Sequence, residues 1–293
     1  FDQLEGYLQS PHYIGCIIGR FANRIRQGQF VLKDNCYSLP INQPPHHLHG
    51  GIQGFDKQIW SAIPLNIEDG VGILFQLTSP DGDEGYPGNL KVEVRYQLDH
   101  NNGFSITYHA VSDQETIINL TQHSYFNLGG SETDILDHEL TIHSNYYLPV
   151  DEVMIPIGQL LDVRDTPFDF RIAKPVGRDI QCDDAQIQLA HGYDHTWVLQ
   201  SDSSIHPAAI LYDPMSGCKM EILTTQPGLQ LYTANFLTGT HLAKNHLPLK
   251  PHMGLCLETQ HFPDSPNHPE FPSTTLKAGE VYTAKTVWRF STD

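Results

Sequence analysis

The sequence predicts an all-β protein of packed antiparallel sheets, and three observations carry that expectation. Apolar residues recur with a period of two in several separate stretches. Clusters of turn residues lie between those stretches. No window of about a dozen residues has the 3.6-residue period of an amphipathic helix.

The first clear strand runs from Leu90 to Leu98. There Leu90, Val92, Val94, Tyr96 and Leu98 alternate with Lys91, Glu93, Arg95 and Gln97, which predicts one buried and one wet face. His100-Asn101-Asn102-Gly103 supplies a turn, and Phe104, Ile106, Tyr108 and Ala110 resume the alternation, so the pair predicts a hairpin. A second hairpin is expected where Ala208–Leu211 and Lys219–Leu223 flank Asp213-Pro214-Met215-Ser216-Gly217. Near the C-terminus Tyr282, Ala284, Thr286, Trp288 and Phe290 share one face of a further strand. Short helical turns are expected near Pro207 or Thr238, and nothing longer. The two packed sheets implied by this pattern would hold functional groups on their loops.

Composition bounds the function. The 293 residues show no compositional break, repeat or low-complexity tract, and 39% are hydrophobic. A single domain over residues 1–293 is therefore expected, at the upper end of the size of large β units. The formal net charge of −17 argues against nucleic acid and anionic membrane, which need basic patches, and suits a neutral substrate. It also serves solubility. Five cysteines (Cys16, Cys36, Cys182, Cys218, Cys256) are widely spaced with no CxxC pair, so free thiols and a cytoplasmic location are expected. No apolar run approaches the roughly 20 residues of a membrane helix. The sequence opens on Phe1, as expected of a start inside a longer product or after processing. The sequon at Asn119-Leu120-Thr121 lies in an apolar stretch and carries little weight.

Several motifs are absent: GxGxxG, GxxxxGK[ST], HExxH and GxSxG. Asp81-Gly82-Asp83-Glu84-Gly85 lacks the sixth-position glycine and twelfth-position acid of a calcium loop, Val92 standing at the latter, so a tight turn is expected. In His46-His47-Leu48-His49 a strand would point His47 and His49 the same way. No carboxylate or cysteine stands at ligand spacing beside them, and no metal is expected. Three further places join a titratable group to a stiff context: His123 in Thr121–Leu128, Asp194 in Gly192–His195, and Glu258 at the end of the apolar run Met253–Leu257. A carboxylate at the end of a buried strand is placed for a raised pKa. Taken singly, each also fits a structural role.

Together these segments resemble the aldose 1-epimerase (galactose mutarotase) family. The resemblance is carried by IGRFANRI (Ile18–Ile25), LHGG (Leu48–Gly51) with Gly54-Phe55-Asp56-Lys57 and Trp60, DGDEGYPG (Asp81–Gly88) and TQHSYFNL (Thr121–Leu128). It continues through TPFDFR (Thr166–Arg171), GYDH (Gly192–His195), TQPGLQ (Thr225–Gln230) and CLETQHFPD (Cys256–Asp264), with Asn267-His268-Pro269 and Phe271-Pro272 behind. The blocks run in family order along the whole chain. Two departures stand out: the family's opening strands are mostly missing before the arginine motif, and Gln122 stands where asparagine is usual.

The resemblance implies a β-supersandwich of large twisted antiparallel sheets with an open cleft, lacking here its first N-terminal strands. It implies a cofactor-free isomerase that interconverts the anomers of free hexoses, galactose and glucose. It implies Glu258 and His123 as the proton-transfer pair and substrate contacts from Asn23, Arg24, His49, Asp194 and Gln230. His49 could position the sugar or share protonation of the ring oxygen. The expected partner is a small hexose, with no nucleic acid or membrane, and the chain is expected to be a monomer or weak homodimer. Two rivals differ in testable ways. A hexose-6-phosphate 1-epimerase would need more basic residues than the 17 Lys+Arg present. A sugar-binding module of the same fold would have lost Glu258 or His123.

Overall fold

In a computed structural model the structure describes residues 1–200, 202 and 204–292. Two large antiparallel sheets dominate it. The nine-stranded sheet runs in the order Lys174–Pro175, Glu139–Ile142, His206–Tyr212, Cys218–Thr224, Val281–Thr292, Gly103–Ser112, Leu90–Asp99, Gly70–Ser79, Ser61–Ile67. The six-stranded sheet runs Tyr125–Phe126, Leu255–Gln260, Gly228–Tyr232, Asp194–Val198, Tyr146–Leu148, Leu161–Asp162.

Both expected hairpins form. Leu90–Asp99 pairs with Gly103–Ser112, and His206–Tyr212 with Cys218–Thr224. The alternation holds through Leu90, Val92 and Val94, which are buried, but Leu98 is 45% exposed. It lies at the hairpin tip, beyond the covered part of the sheet. The long C-terminal strand joins the two hairpins edge to edge. Its Trp288 stacks on Phe104 and meets Phe126 of the other sheet edge-on at 4.9 Å.

One hydrophobic core lies between the sheets. Val92, Val94, Ile106, Tyr108, Met220 and Ile222 enter it from the nine-stranded sheet, and Trp197, Leu229, Leu231, Leu255 and Leu257 from the six-stranded one. A period of two therefore commits the other residues of the smaller sheet to its far face. The register fixes them in rows: Asp194 opposite Tyr232 opposite Cys256, and Thr196 opposite Gln230 opposite Glu258. That far face is where the candidate site is built.

The helical expectation needs correction. Pro207 lies in a strand, at a register shift, and Thr238 is not helical. The two α-helices among the described residues are Leu4–Gln9 and Ala185–Ala190, each of 6 residues and too short to show a period. The second starts where the Asp184 side chain accepts from the amides of Gln186 and Ile187.

Candidate active site

Segments from elsewhere in the chain cover the far face of the six-stranded sheet, and a cleft of about 150 Å³ remains there. Tyr13, Asn23, Arg24, His49, His123, Tyr125, Asp194, Tyr232 and Glu258 line it, with His12, Gln43 and Phe236. Six of the seven expected site residues thus converge from positions as distant in the chain as Asn23 and Glu258.

Two short covering strands, Arg24–Ile25 and His47–Leu48, pair with each other, with Arg24 opposite Leu48. Asn23 and His49 flank that pair in left-handed conformations, φ +64° and +51°. Asparagine tolerates this better than most residues. The Asn23 side-chain oxygen Oδ1 accepts the Arg24 backbone amide at 2.8 Å, and the Asn23 backbone amide donates to His49 Nδ1 at 3.1 Å. Gly50 follows at φ +86°, and a Cβ there would lie 1.7 Å from the Gly19 carbonyl oxygen. This close approach explains the Gly after His49. It also corrects the expectation that His47 and His49 share an orientation, because the chain leaves the strand at His49. His47 instead bonds the Pro40 carbonyl and the Tyr86 hydroxyl, away from the cleft, and His46 accepts from the Gln27 amide.

Within the IGRFANRI motif the two arginines divide. Arg20 is 2% exposed and donates to Ser79 and to the carbonyls of Ser79, Pro80 and Pro87. It ties the motif to the larger sheet. Arg24 reaches the cleft, its Nε bonded to Gln43 at 2.9 Å and its Nη2 3.5 Å from Asp194.

Asp194 also accepts the Gln230 side-chain amide at 2.6 Å. The Gln230 oxygen accepts from the Thr196 hydroxyl. Gln230 lies behind Asp194, does not line the cleft, and has both amide ends engaged. Its geometry is that of a residue holding Asp194 in place.

Glu258 sits inside the strand Leu255–Gln260, all of whose residues are buried, rather than at its end. Its Oε1 is 3.8 Å from His123 Nε2. Its Oε2 is buried and has no hydrogen-bond partner among the described residues. Burial, and secondarily the charge of Asp194, pushes its carboxyl well above the usual range, while Arg24 pulls it down. His123 follows the strand Thr121–Gln122. Its amide donates to the Cys16 carbonyl and its carbonyl accepts from the Gly15 amide, both at 2.9 Å. Gln122 braces this turn through the Ser124 amide and Gly15 carbonyl. Burial pushes the His123 imidazole down to about 4. His49 meets it edge-on, ring centres 5.2 Å apart, and burial, then His123 itself, holds His49 well below the usual value.

The His49, His123 and Glu258 ligand atoms lie within 4.8 Å of one another, a set that can be asked to hold a metal. An amide N–H can only donate, so His49 Nδ1 accepts and the neutral ring carries its hydrogen on Nε2. Neither nitrogen then offers a metal a free lone pair. The cluster fits a hydrogen-bonding ligand better than a cation.

Sequence reasoning missed several lining residues. Tyr13, at φ +54°, packs edge-on against His49 at 4.8 Å and over His123 at 6.0 Å. Tyr125 packs on His123 from another side at 5.2 Å, and Tyr232 and Phe236 stack at the mouth. Tyr125 lies inside TQHSYFNL (Thr121–Leu128), and Tyr232 follows from strand parity once Gln230 is placed. Tyr13 and Gln43 carry no signal, since only tertiary packing brings them here. His195, beside Asp194 in sequence, faces the core, where its ring packs on Phe168. Asn119 of the sequon is fully buried and bonds the Ala22 and His261 carbonyls. All five cysteines are free thiols, and no helix among the described residues is long and apolar enough to cross a membrane.

Comparison with known proteins agrees with this architecture. The aldose 1-epimerase family model matches residues 1–289. The chain is 47% identical to mouse galactose mutarotase over 99% of its length and 82% of the relative's. It is 40% identical to Escherichia coli aldose 1-epimerase over 98% of its length and 82% of the relative's. A crystal structure of galactose 1-epimerase from Lactobacillus acidophilus superposes with a TM-score of 0.90 at 34% identity, covering 99% of this chain and 83% of that one.

Proposed function

The chain belongs to the aldose 1-epimerase family, and from that premise we propose that it is an isomerase whose Glu258 and His123 carry protons to and from one bound hexose. The observation that supports this most is the pairing itself. A carboxyl and an imidazole, 135 positions apart in the numbering (258 − 123), stand 3.8 Å apart in one buried cleft. O1 and O5 of a pyranose share the carbon C1, so two groups this close can each address one of them.

Burial opposes charge on both groups. The pair by itself therefore favours one shared proton, held on Glu258, with His123 neutral. Anomer exchange uses that proton. When it moves to His123, a carboxylate faces the C1 hydroxyl and an imidazolium faces the ring oxygen. Arg24 assists by favouring the carboxylate. Glu258 then takes the O1 proton while His123 gives one to O5. The C1–O5 bond breaks, C1 becomes the aldehyde carbon, and the uncharged pair that burial favours is restored. Rotation about C1–C2 and closure on the other face run these steps in reverse. Each transfer is typically worth about 10²–10⁴ in rate.

The rest of the cleft supports a neutral polyol. Asp194 accepts from hydroxyls, Arg24 and Asn23 donate, and His49 offers an Nε2 hydrogen. Among the described residues Arg24 is the only Lys or Arg in the lining, and it already faces Asp194, so a hexose phosphate gains nothing here. The relatives' names indicate galactose as a substrate. Polarimetry on freshly dissolved α-D-galactose tests the reading. The protein should hasten the drift in rotation, and Glu258→Gln, which keeps the shape, should slow turnover by about 10²–10⁴. Near-normal turnover in that variant would overturn the assignment.

A further inference from the structure

We propose that Cys256 is a positioning residue for proton transfer: its sulfur accepts the Nδ1 hydrogen of His123, so that Nε2 alone exchanges protons with the sugar. This rests on the assignment of His123 above. Cys256 is fully buried, and its Sγ is 3.5 Å from His123 Nδ1. Glu258 is the next residue on the same face of the same strand, and it faces Nε2. One strand therefore addresses both nitrogens of the ring, the thiol from behind and the carboxyl from the cleft side. The backbone bonds of His123 to Gly15 and Cys16, with Tyr13, His49 and Tyr125 around the ring, leave it little freedom to turn.

The chemistry selects the tautomer. A neutral imidazole has one hydrogen. Were it on Nε2, the ring could not accept a proton from the sugar there, and its basic nitrogen would be buried against the thiol. For Nε2 to give and take a proton in alternate half-reactions, Nδ1 must keep its hydrogen throughout. Its partner must then be an acceptor, since the hydrogen bond at one nitrogen sets the role of the other. Sulfur is a weak acceptor. A carboxylate in the same place would raise the basicity of the ring and favour keeping the proton on it. The thiol orients His123 without that effect, and burial keeps it protonated rather than anionic. His49 is the opposite tautomer, fixed by the Asn23 amide, so the cleft holds one donating and one exchanging imidazole.

The test is nitrogen-15 NMR of the protein with labelled histidine at neutral pH, the His123 signals being assigned by their loss in His123→Gln. The Nδ1–H tautomer is expected, against the Nε2–H form. In parallel, Cys256→Ala should lower kcat by about 10-fold, the smaller end of the loss typical when an orienting partner is removed, with little change in KM. Cys256→Ser, whose hydroxyl can accept, should recover most of it. An Nε2–H tautomer, a wild-type kcat in Cys256→Ala, or a serine variant no better than alanine would overturn the role of Cys256 while leaving His123 in place. Full turnover in His123→Gln would instead overturn the proton-transfer reading on which it depends.

Discussion

Single residues here do work that their neighbours in the chain do not. Asp194 lines the cleft while His195 faces the core, and Arg24 meets the cleft while Arg20 braces the larger sheet. Asp194→Ala should raise KM for galactose by about 10- to 100-fold, since a hydrogen bond to a charged group is worth about 1.5–3 kcal/mol, and turnover should fall as well. Unchanged KM and kcat would count against it as a sugar contact. Gln230→Ala should have a smaller effect on KM, because Gln230 acts through Asp194. The residue types of the site were legible in the sequence, but their convergence was not. Motif order placed Glu258 and His123 as candidates, while the orphaned Oε2, the Arg24–Gln43 bond and the Tyr13 packing arise only on folding. Gln230 was expected to touch substrate, and spacing could not reveal that it stands one layer behind.

Elements turn a period of two into a site. The strands Asp194–Val198, Gly228–Tyr232 and Leu255–Gln260 each bury one face in the core and thereby present Asp194, Tyr232, Cys256 and Glu258 together on the other. A register slip of one residue would exchange the two faces, so packing of Leu229, Leu231, Leu255 and Leu257 sets the chemistry of the cleft. The long hairpins were readable because one face is wet. The six-stranded sheet was not, because both its faces are covered and alternation of polarity fades, as the wholly buried Leu255–Gln260 shows. The covering turn at His49 is equally specific. Gly50→Ala should lower both Tm and turnover, because its Cβ has no room beside the Gly19 carbonyl oxygen and φ is +86°. Unaltered Tm and kcat in that variant would show that the turn does not constrain His49.

The whole molecule holds several ionisable groups uncharged in its interior. Burial lowers His47, His123 and His261 to about 4 and His195 to about 3, against about 6.5 in an unfolded chain. Between pH 6.5 and about 4 the unfolded state therefore binds more protons, and stability falls as pH falls, by up to about 1.4 kcal/mol per pH unit for each such histidine. Glu258 has the opposite sign. Its raised pKa favours folding below the ordinary carboxylate value, and that contribution is lost as pH rises toward its folded value. Tm measured across this range should drop steeply on acidification, and Glu258→Gln should raise Tm near neutrality. A flat profile would contradict the burial of these rings. The architecture at this scale was legible from alternation and motif order together, and the chain spans 82% of the length of its mouse relative. What alternation could not supply is the cleft, which exists only because the covering segments fold back over the smaller sheet. A crystal structure of the galactose complex tests the central claim most directly. The account predicts the C1 hydroxyl within hydrogen-bond reach of Glu258 and the ring oxygen within reach of His123 in one bound sugar, and a sugar that meets only one of these side chains would contradict it.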